Sequence, residues 1–318
     1  MVIHIKKVVL SFCIPTFNQP ESIKRTLESL LDQYVDDIEV VIRDDSNNFE
    51  TEKIVSQYLN KLPIRYFHMQ KDGGIDGAFL FLSREAKGQY VWWFGDDILV
   101  PGVVKRLLGF LRLKPAIDFI YLNSTDFDGV SFSIQPNGNK FFFDRNEVLV
   151  ELKDQLGFCS AMVFRKEILS LGLDKAENFV GTCWVTLYLV LNVLVEGRNF
   201  FFLDGSNFLS APKPLGEPRW YDPFLVHGIN FALVLNHFKG DFNPSDLRNV
   251  LADKFSKSCR AVIVERALGF DSGFAKSKFS LRVLFSLYWS YPEFYVAVPI
   301  MFLPRRMLLW LYKFYKKC

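Results

Sequence analysis

The sequence predicts an α/β fold in which helices flank a mostly parallel, Rossmann-like sheet and a helical extension follows at the C-terminus. Apolar, strand-like runs alternate with amphipathic segments over the first 125 residues, a pattern typical of repeated β-α units with right-handed crossovers. The run from Tyr90 to Phe94 is apolar on both faces, as in a central parallel strand. Beyond Asp222 the pattern is helical to the end of the chain.

The β-α units can be placed in order from their apolar runs and breakers. The first helix is predicted to have Asn18 as its cap and Pro20 in its first turn. Further helices are predicted around residues 54–59, from Asp76 to Lys87, and from Pro101 to Leu113. Strands are predicted at residues 8–14, 38–43, 64–68, 90–94 and 118–122.

Composition and charge exclude several classes of protein. Hydrophobic residues make up 50% and aromatic residues 16% of the 318 residues, which excludes an intrinsically disordered chain. A net charge of +3 is too small to favour nucleic-acid binding. The five cysteines are scattered without metal-binding spacing, as in a reduced, cytosol-facing protein. The N-terminus does not resemble a signal peptide, and no run of about twenty apolar residues predicts a membrane span.

Two adjacent carboxylates follow the fourth predicted strand in the motif Phe94-Gly95-Asp96-Asp97. Ligands of open α/β sheets bind beyond the carboxyl ends of the strands, so this pair is expected to face a crevice. Hard carboxylate oxygens suit Mg²⁺ or Mn²⁺, and such an ion could also hold a diphosphate. Gly-Asp-Asp is also ordinary turn chemistry, so the motif alone leaves a surface turn open.

Two other strand ends carry small polar or acidic groups. Arg43, Asp44, Asp45 and Ser46 close the second strand, where a carboxylate could accept a hydrogen bond from a base or a ribose. Pro15, Thr16, Phe17 and Asn18 follow the first strand. Each motif alone could equally be a helix cap. Their joint position, on three strand ends at one edge of a sheet, favours a ligand site.

Taken together, the segments 9–18, 40–46 and 92–97 resemble the large family-2 glycosyltransferases of the GT-A fold. The Gly-Asp-Asp form is similar to the abequosyltransferase-like enzymes of O-antigen synthesis. The resemblance covers residues 8–125 well and the remainder loosely. It implies an enzyme that moves one sugar from a nucleotide-diphosphate donor to a saccharide acceptor, with Mn²⁺ or Mg²⁺ as cofactor.

The resemblance also implies roles for individual residues. Thr16, Phe17 and Asn18 would line the nucleotide pocket, and Asp45 would bind the base. Asp96 would lie towards the ribose and Asp97 on the metal, where it also serves catalysis. The segment 72–77 would be a Gly-rich turn near the donor.

The chain departs from the family pattern at two places. The family's general base is an acid at the start of a later helix, but residues 180–187 contain none, so Glu177 is the predicted base, with Asp174 and Glu196 as alternatives. Glu217-Pro-Arg219-Trp220 resembles the end of the Q-x-x-R-W motif of processive relatives, without its Gln. Arg219 could pair with the diphosphate and Trp220 could stack on the acceptor sugar, or both could be structural.

The resemblance divides the chain into a catalytic domain over residues 1–222 and a helical region over residues 223–318. Residues 1–125 would bind the nucleotide sugar and residues 126–222 the acceptor. In the tail, Arg305, Arg306 and Lys313 flank aromatic residues, a combination that settles at anionic bilayer surfaces. The predicted protein is cytoplasmic, peripheral on the inner face of the cell membrane, and acts on a polyprenyl-diphosphate-linked acceptor.

Two other functions stay open at this point. A non-catalytic, membrane-associated sugar-binding or scaffold protein could carry a degenerate transferase fold, which the missing acid would explain. A sugar-nucleotide nucleotidylyltransferase also uses strand-end carboxylates and Mg²⁺. It normally has a Gly-rich, basic triphosphate loop after the first strand, and residues 15–20 contain none.

Overall fold

A computed structural model describes residues 8–69, 72–126, 138–210, 221–270 and 280–315. The chain forms two compact units, one of residues 1–181 and 185–212 and one of residues 182–184 and 213–318. The domain boundaries predicted at residues 125 and 222 stay predictions. Arg219 and Trp220 lie outside the described residues.

The first unit contains a large, mostly parallel sheet, as predicted. Over the described residues its strand order is β3-β2-β1-β4-β9-β6-β10-β8. Strands β3, β2, β1 and β4 are parallel neighbours, and so are β6 and β10, whereas β9 and β8 are antiparallel to the strands beside them. A second sheet has the order β5-β11-β7. The strands are β1 (Leu10–Thr16), β2 (Ile38–Asp44), β3 (Ile64–His68), β4 (Tyr90–Trp93), β5 (Ile98–Leu99), β6 (Phe119–Leu122), β7 (Thr125–Asp126), β8 (Lys140–Phe142), β9 (Met162–Arg165), β10 (Phe200–Leu203) and β11 (Phe208–Ser210).

Helices cover both the β-α crossovers and the later part of the chain. The first unit has α1 (Pro20–Leu31), α2 (Glu50–Ser56), α3 (Gly74–Glu85), α4 (Val103–Leu113), α5 (Arg145–Leu152), α6 (Lys166–Ser170), α7 (Leu173–Ala176) and α8 (Val185–Glu196). The second has a π-helical turn at Leu225–Asn230, then α9 (Phe231–His237), α10 (Pro244–Leu268), α11 (Leu281–Tyr288), α12 (Pro292–Met301) and α13 (Arg305–Tyr315).

The core of the first unit is aromatic. Phe12 on β1 packs against Trp92 on β4 with ring centroids 4.9 Å apart, and Phe94 meets both rings edge-on. On the other side, Trp93 contacts Phe164 of β9 at 4.4 Å. All five side chains are fully buried. Because aromatic side chains bury large areas, this cluster helps to fix β1, β4 and β9 side by side.

Asn18 is not the cap of the first helix, contrary to the prediction. Helix α1 begins at Pro20 with Gln19 as its capping residue, and no side chain accepts a hydrogen bond there. Asn18 instead has a φ of +53°, in the left-handed region that Asn tolerates better than most residues. Helices α3 and α4 also differ from the predicted starts at Asp76 and Pro101, since they begin at Gly74 and Val103 after glycines with positive φ.

The strand at residues 119–122 lies elsewhere in the sheet than simple β-α repetition predicts. Strand β6 does not pair with β4, because β9 lies between them and is antiparallel to both. The four residues of β9, Met162–Arg165, were not predicted as a strand. They follow two short 3₁₀ turns, and the run is too short for a clear period of two.

The second unit is helical over its described residues, as predicted for the region beyond Asp222. Its longest helix, α10, begins with Asn243 as its cap, whose side chain accepts a hydrogen bond from Ser245 N. Phe255 of this helix stacks on Tyr288 with ring centroids 4.1 Å apart, and the Tyr288 hydroxyl donates to Gly228 O. Among the described helices, none has the length and apolar character required to cross a membrane.

Candidate functional site

Three strand ends meet at one edge of the large sheet. Thr16 at the end of β1 is in register with Asp44 at the end of β2, and Cys13 of β1 is in register with Trp93 at the end of β4. The backbone continues this alignment past the strands, because Asp45 N donates to Thr16 O at 3.0 Å. The residues that follow β1, β2 and β4 therefore lie along the same carboxyl edge, where open α/β sheets bind their ligands.

The turn after β1 is fastened to the end of β2. Asn18 N donates to the Ser46 hydroxyl at 2.7 Å, and Asn18 Oδ1 accepts from Asn47 N at 3.1 Å. Phe17 is exposed between these anchored residues, and Thr16 is half-buried. The three residues predicted to line the nucleotide pocket thus form one turn beside Asp45, and the left-handed backbone of Asn18 is what brings its amide to Ser46.

Asp44 is a structural residue of this edge. Its Oδ1 accepts from Ser46 N at 2.9 Å and its Oδ2 from the Tyr66 hydroxyl at 2.5 Å. Burial, together with the hydrogen bond to Asp44, raises the pKa of Tyr66 well above its usual range, so this hydroxyl remains a donor. His68 Nε2 lies 3.0 Å from Ser46 O. Strand β3 therefore fixes Asp44 and Ser46, the residues on either side of Asp45.

Asp45 is buried and bonded to the buried guanidinium of Arg43. Arg43 Nε lies 2.7 Å from Asp45 Oδ1. The same guanidinium donates to Gly77 O from Nη1 and to Asp72 O from Nη2, each at 3.0 Å. Sequence reasoning assigned no role to Arg43, although a basic residue directly after the apolar run 40–42 of a buried strand is a signal that it has a buried partner.

The Gly95-Asp96-Asp97 motif is held by contacts on both sides. Gly95 N donates to the Ser160 hydroxyl at 2.9 Å, and Asp97 O accepts from the Thr26 hydroxyl at 2.9 Å. Asp97 is only 4% exposed, whereas Asp96 is half-buried. The motif is a turn at a strand end whose backbone is fixed by Thr26 and Ser160.

The carboxylates of this turn do not form a cage for a metal. Within the described ranges, no group of three or more His, Cys, Asp and Glu side chains is arranged to hold a metal ion. Mg²⁺ in particular is commonly held by one or two carboxylates together with substrate phosphates. A single buried carboxylate at Asp97, with Asp96 next to it, fits that kind of shared site.

An acid does lie at the start of α8, but it comes from a different part of the chain. Asp76, on α3 and 2% exposed, accepts from Gly181 N at 2.9 Å through Oδ2 and from Val185 N at 3.1 Å through Oδ1. Both oxygens are committed to backbone amides, so Asp76 is a capping residue of α8. Sequence reasoning missed it because the partners are more than a hundred residues apart.

Glu177 lies in a 3₁₀ turn at Glu177–Phe179, where its Oε1 is 2.6 Å from Arg84 Nη2. Asp174 contacts the same guanidinium at 3.3 Å, and the Glu177 side chain is 57% exposed. The hydrogen bond that Arg84 donates to Glu177 raises the pKa of the Arg84 guanidinium. Glu196 ends α8. The role of Glu177 as general base stays a prediction, and its observed partner is a surface cation.

Comparison with known proteins identifies the family of the chain. Residues 11–172 match the family model described as Glycosyl transferase family 2. Abequosyltransferase RfbV of Salmonella typhimurium is 26% identical over 204 residues, which are 58% of this chain and 61% of that protein. Chondroitin synthase of Escherichia coli is 32% identical over 126 residues, 39% of this chain and 18% of that protein. The chain therefore spans less than two thirds of the length of these relatives.

Solved structures show the same fold at low identity. S. aureus TarS 1-349 in complex with UDP-GlcNAc has a TM-score of 0.62 at 18% identity, over 86% of this chain and 77% of that one. The mannosyltransferase PcManGT from Pyrobaculum calidifontis, in complex with GDP-Man and Mn²⁺, has a TM-score of 0.51 at 14% identity, over 92% and 84%. These likenesses confirm the predicted GT-A fold of the chain.

Proposed function

The chain belongs to glycosyl transferase family 2, and from that premise we propose that this glycosyltransferase moves a single sugar from a nucleotide-diphosphate donor to a saccharide acceptor. One observation supports the proposal most directly. Strands β2 and β4 are the two parallel neighbours of β1, so Asp45 and the Asp96-Asp97 pair follow strands on either side of β1 at one edge. A nucleotide bound there would have a carboxylate for its base on one strand and carboxylates for its ribose and diphosphate on another.

Each residue of this edge has a distinct proposed role. Asp45, fixed by Arg43, accepts hydrogen bonds from the base, and the turn of Thr16, Phe17 and Asn18 lies beside it. Asp96 is half-buried and is proposed to contact the ribose. Asp97 is proposed to hold Mn²⁺ or Mg²⁺, which supplies Lewis-acid stabilisation of the charge that develops on the departing diphosphate.

The acceptor side of the reaction needs a group that removes a proton from the attacking hydroxyl. Glu177 remains the proposed base among the acids of this part of the chain. Glu177 is paired with Arg84, and that pair must open or shift for Glu177 to contact an acceptor. Arg219 and Trp220 are proposed to contact the diphosphate and the acceptor sugar.

The proposed pathway is the synthesis of a bacterial surface polysaccharide of the O-antigen type, on a polyprenyl-diphosphate-linked acceptor. It is supported by the similarity to abequosyltransferase RfbV over 204 residues. Such an acceptor stays at a membrane, and we therefore propose that the chain works as a cytoplasmic protein on the inner face of the cell membrane.

A donor screen tests the proposed activity. We expect one of UDP-, GDP-, CDP- or dTDP-sugars to release free nucleoside diphosphate in the presence of MnCl₂ and a saccharide acceptor, and we expect EDTA to abolish the release. Phosphatase-coupled detection of the free nucleoside diphosphate measures it. Consumption or release of pyrophosphate would favour a nucleotidylyltransferase. Binding of a sugar without turnover of any donor would favour the scaffold alternative.

The membrane proposal is supported by the surface of α13. Trp310 and Phe314 are exposed and stack on each other at 5.9 Å, and Arg305, Arg306 and Lys313 are exposed on the same helix. Aromatic and basic side chains together bind anionic bilayer surfaces.

We expect Trp310→Ser combined with Phe314→Ser to weaken binding to vesicles of phosphatidylcholine and phosphatidylglycerol by roughly tenfold or more, since two aromatic side chains are no longer buried in the bilayer. Co-sedimentation measures the bound fraction. Leu113→Ser, which removes an exposed apolar side chain of the first unit, is the matched control and should bind normally. Equal binding by the double variant and the wild type would contradict the proposal. So would binding of the wild type to vesicles of phosphatidylcholine alone that equals its binding to the mixed vesicles.

A further inference from the structure

Arg43 is a buried cation near the end of β2, directly after the apolar residues Val40, Val41 and Ile42. It is 4% exposed, and a charge removed from water to this extent is stable only when its donors are satisfied. Its Nε, Nη1 and Nη2 each have an acceptor, namely Asp45 Oδ1, Gly77 O and Asp72 O. The guanidinium carbon also lies 5.4 Å from the centre of the Phe81 ring.

The acceptors of Arg43 come from two parts of the chain. Asp45 follows β2, whereas Asp72 and Gly77 lie on either side of the start of α3. The turn between them has positive φ at Gly73 and Gly74, and a Cβ at Gly77 would lie 2.3 Å from Asp72 O. The turn is therefore tightly closed, and both carbonyl groups are presented to one planar guanidinium.

We infer that Arg43 is a positioning residue of the donor site, which holds the Asp45 carboxylate and the segment 72–77 as one rigid unit. The inference rests on the proposed function, in which Asp45 contacts the nucleotide base. A guanidinium has donors in a fixed plane and can bridge three acceptors, whereas a lysine ammonium in its place keeps the charge without that geometry. The orientation of Asp45 thus depends on the shape of Arg43 as well as on its charge.

Positioning of this kind has a distinct kinetic signature. If Arg43 acts through Asp45, its replacement lowers the affinity for the nucleotide and leaves the chemical step at saturating donor nearly unchanged. If Arg43 were merely structural, its replacement would lower the stability of the protein. It would then change turnover and affinity equally whether or not the Asp45 carboxylate is present.

The test uses UDP, GDP and dTDP as probes, each with MnCl₂, and isothermal titration calorimetry of the full chain. For the nucleotide that the wild type binds most tightly, we expect Arg43→Lys to raise Kd by about tenfold, because a charge-assisted hydrogen bond is lost from the support of Asp45. With the matching donor sugar, KM should rise by a similar factor, and kcat should stay within about threefold.

Arg65→Lys is the matched control. Arg65 lies on the neighbouring strand β3 and also bridges acidic partners, with Nη2 2.5 Å from Glu85 Oε2 and Nη1 3.6 Å from Glu39 Oε2. Its partners do not include Asp45. We expect the Kd and KM of Arg65→Lys to equal those of the wild type. This result would separate the proposed role of Arg43 from the effect of replacing any arginine of this sheet.

A double-mutant cycle with Asp45→Ala decides between positioning and structure. Arg43→Lys should change Kd by less than about twofold when Asp45 is already absent, since coupled residues are not additive. A full effect of Arg43→Lys in the Asp45→Ala background would overturn the inference, as would an unchanged Kd in the single variant.

Folding is checked by circular dichroism, and Arg43→Gln provides a second variant. Failure of both variants to fold would overturn the inference, because it would show that Arg43 supports the fold as a whole. If the wild type binds and turns over no nucleotide donor, the proposed function fails first. If the wild type is active and Arg43→Lys behaves like it, only the role of Arg43 fails.

Discussion

Asp97→Asn is expected to reduce metal-dependent sugar transfer by about a thousandfold, because the substitution removes the charge proposed to hold the ion against the leaving diphosphate. Asn has nearly the same size and shape as Asp, so the buried turn after β4 should keep its contacts with Thr26 and Ser160. The melting temperature should therefore stay close to that of the wild type. Initial rates of nucleoside diphosphate release, measured over a range of Mn²⁺ concentrations, check this expectation.

Two further variants sharpen the test of Asp97. Asp96→Asn should mainly raise the KM for the donor, since the proposed contact of Asp96 is with the ribose. Asp32→Asn changes an exposed carboxylate at the end of α1 and should leave the rate unchanged. Equal losses in Asp96→Asn and Asp97→Asn would contradict the separate roles. A wild-type rate in Asp97→Asn would contradict the metal site altogether.

Asp76→Ala is expected to reduce the free energy of unfolding by about 3 kcal/mol, because two buried amide donors, Gly181 N and Val185 N, lose a charged acceptor. Helix α8 also loses its cap, and its first turn should fray. The midpoint and slope of urea unfolding, followed by tryptophan fluorescence, give the change.

Asp76→Asn is the matched control for this effect. It keeps one oxygen as an acceptor in nearly the same place, so we expect about half of the loss seen for alanine. A loss below about 1 kcal/mol for Asp76→Ala would show that the two amides find other partners. Such a result would show that Asp76 does not hold the start of α8.

Local patterns predicted the first part of the fold well, since strands buried in a parallel sheet are recognisable from their apolar runs. The predicted strand at residues 64–68 has the bounds of β3, and β2 is one residue longer than predicted. The meeting of three polar strand ends also follows from sequence, because parallel strands place their carboxyl ends at one edge.

Contacts between distant segments were beyond the sequence pattern. Arg43 reaches Asp72 and Gly77 around thirty residues on, and Asp76 reaches the start of α8. No periodicity in the sequence indicates either contact, since each depends on how α3 packs. Asn18 looked like a helix cap for the same reason: the competing acceptor and donor, Ser46 and Asn47, come from the next β-α unit.

Strand β9 has a consequence for how the chain is made. It completes the hydrogen bonding of both β4 and β6, yet it is synthesised after them. A nascent chain that has reached only residue 125 presents β4 as an open edge, and unpaired strand edges are templates for aggregation. Any split or fusion that separates the first four parallel strands from residues 162–165 exposes that edge permanently. Strands β1 to β4 thus depend on a later segment to cover their edge.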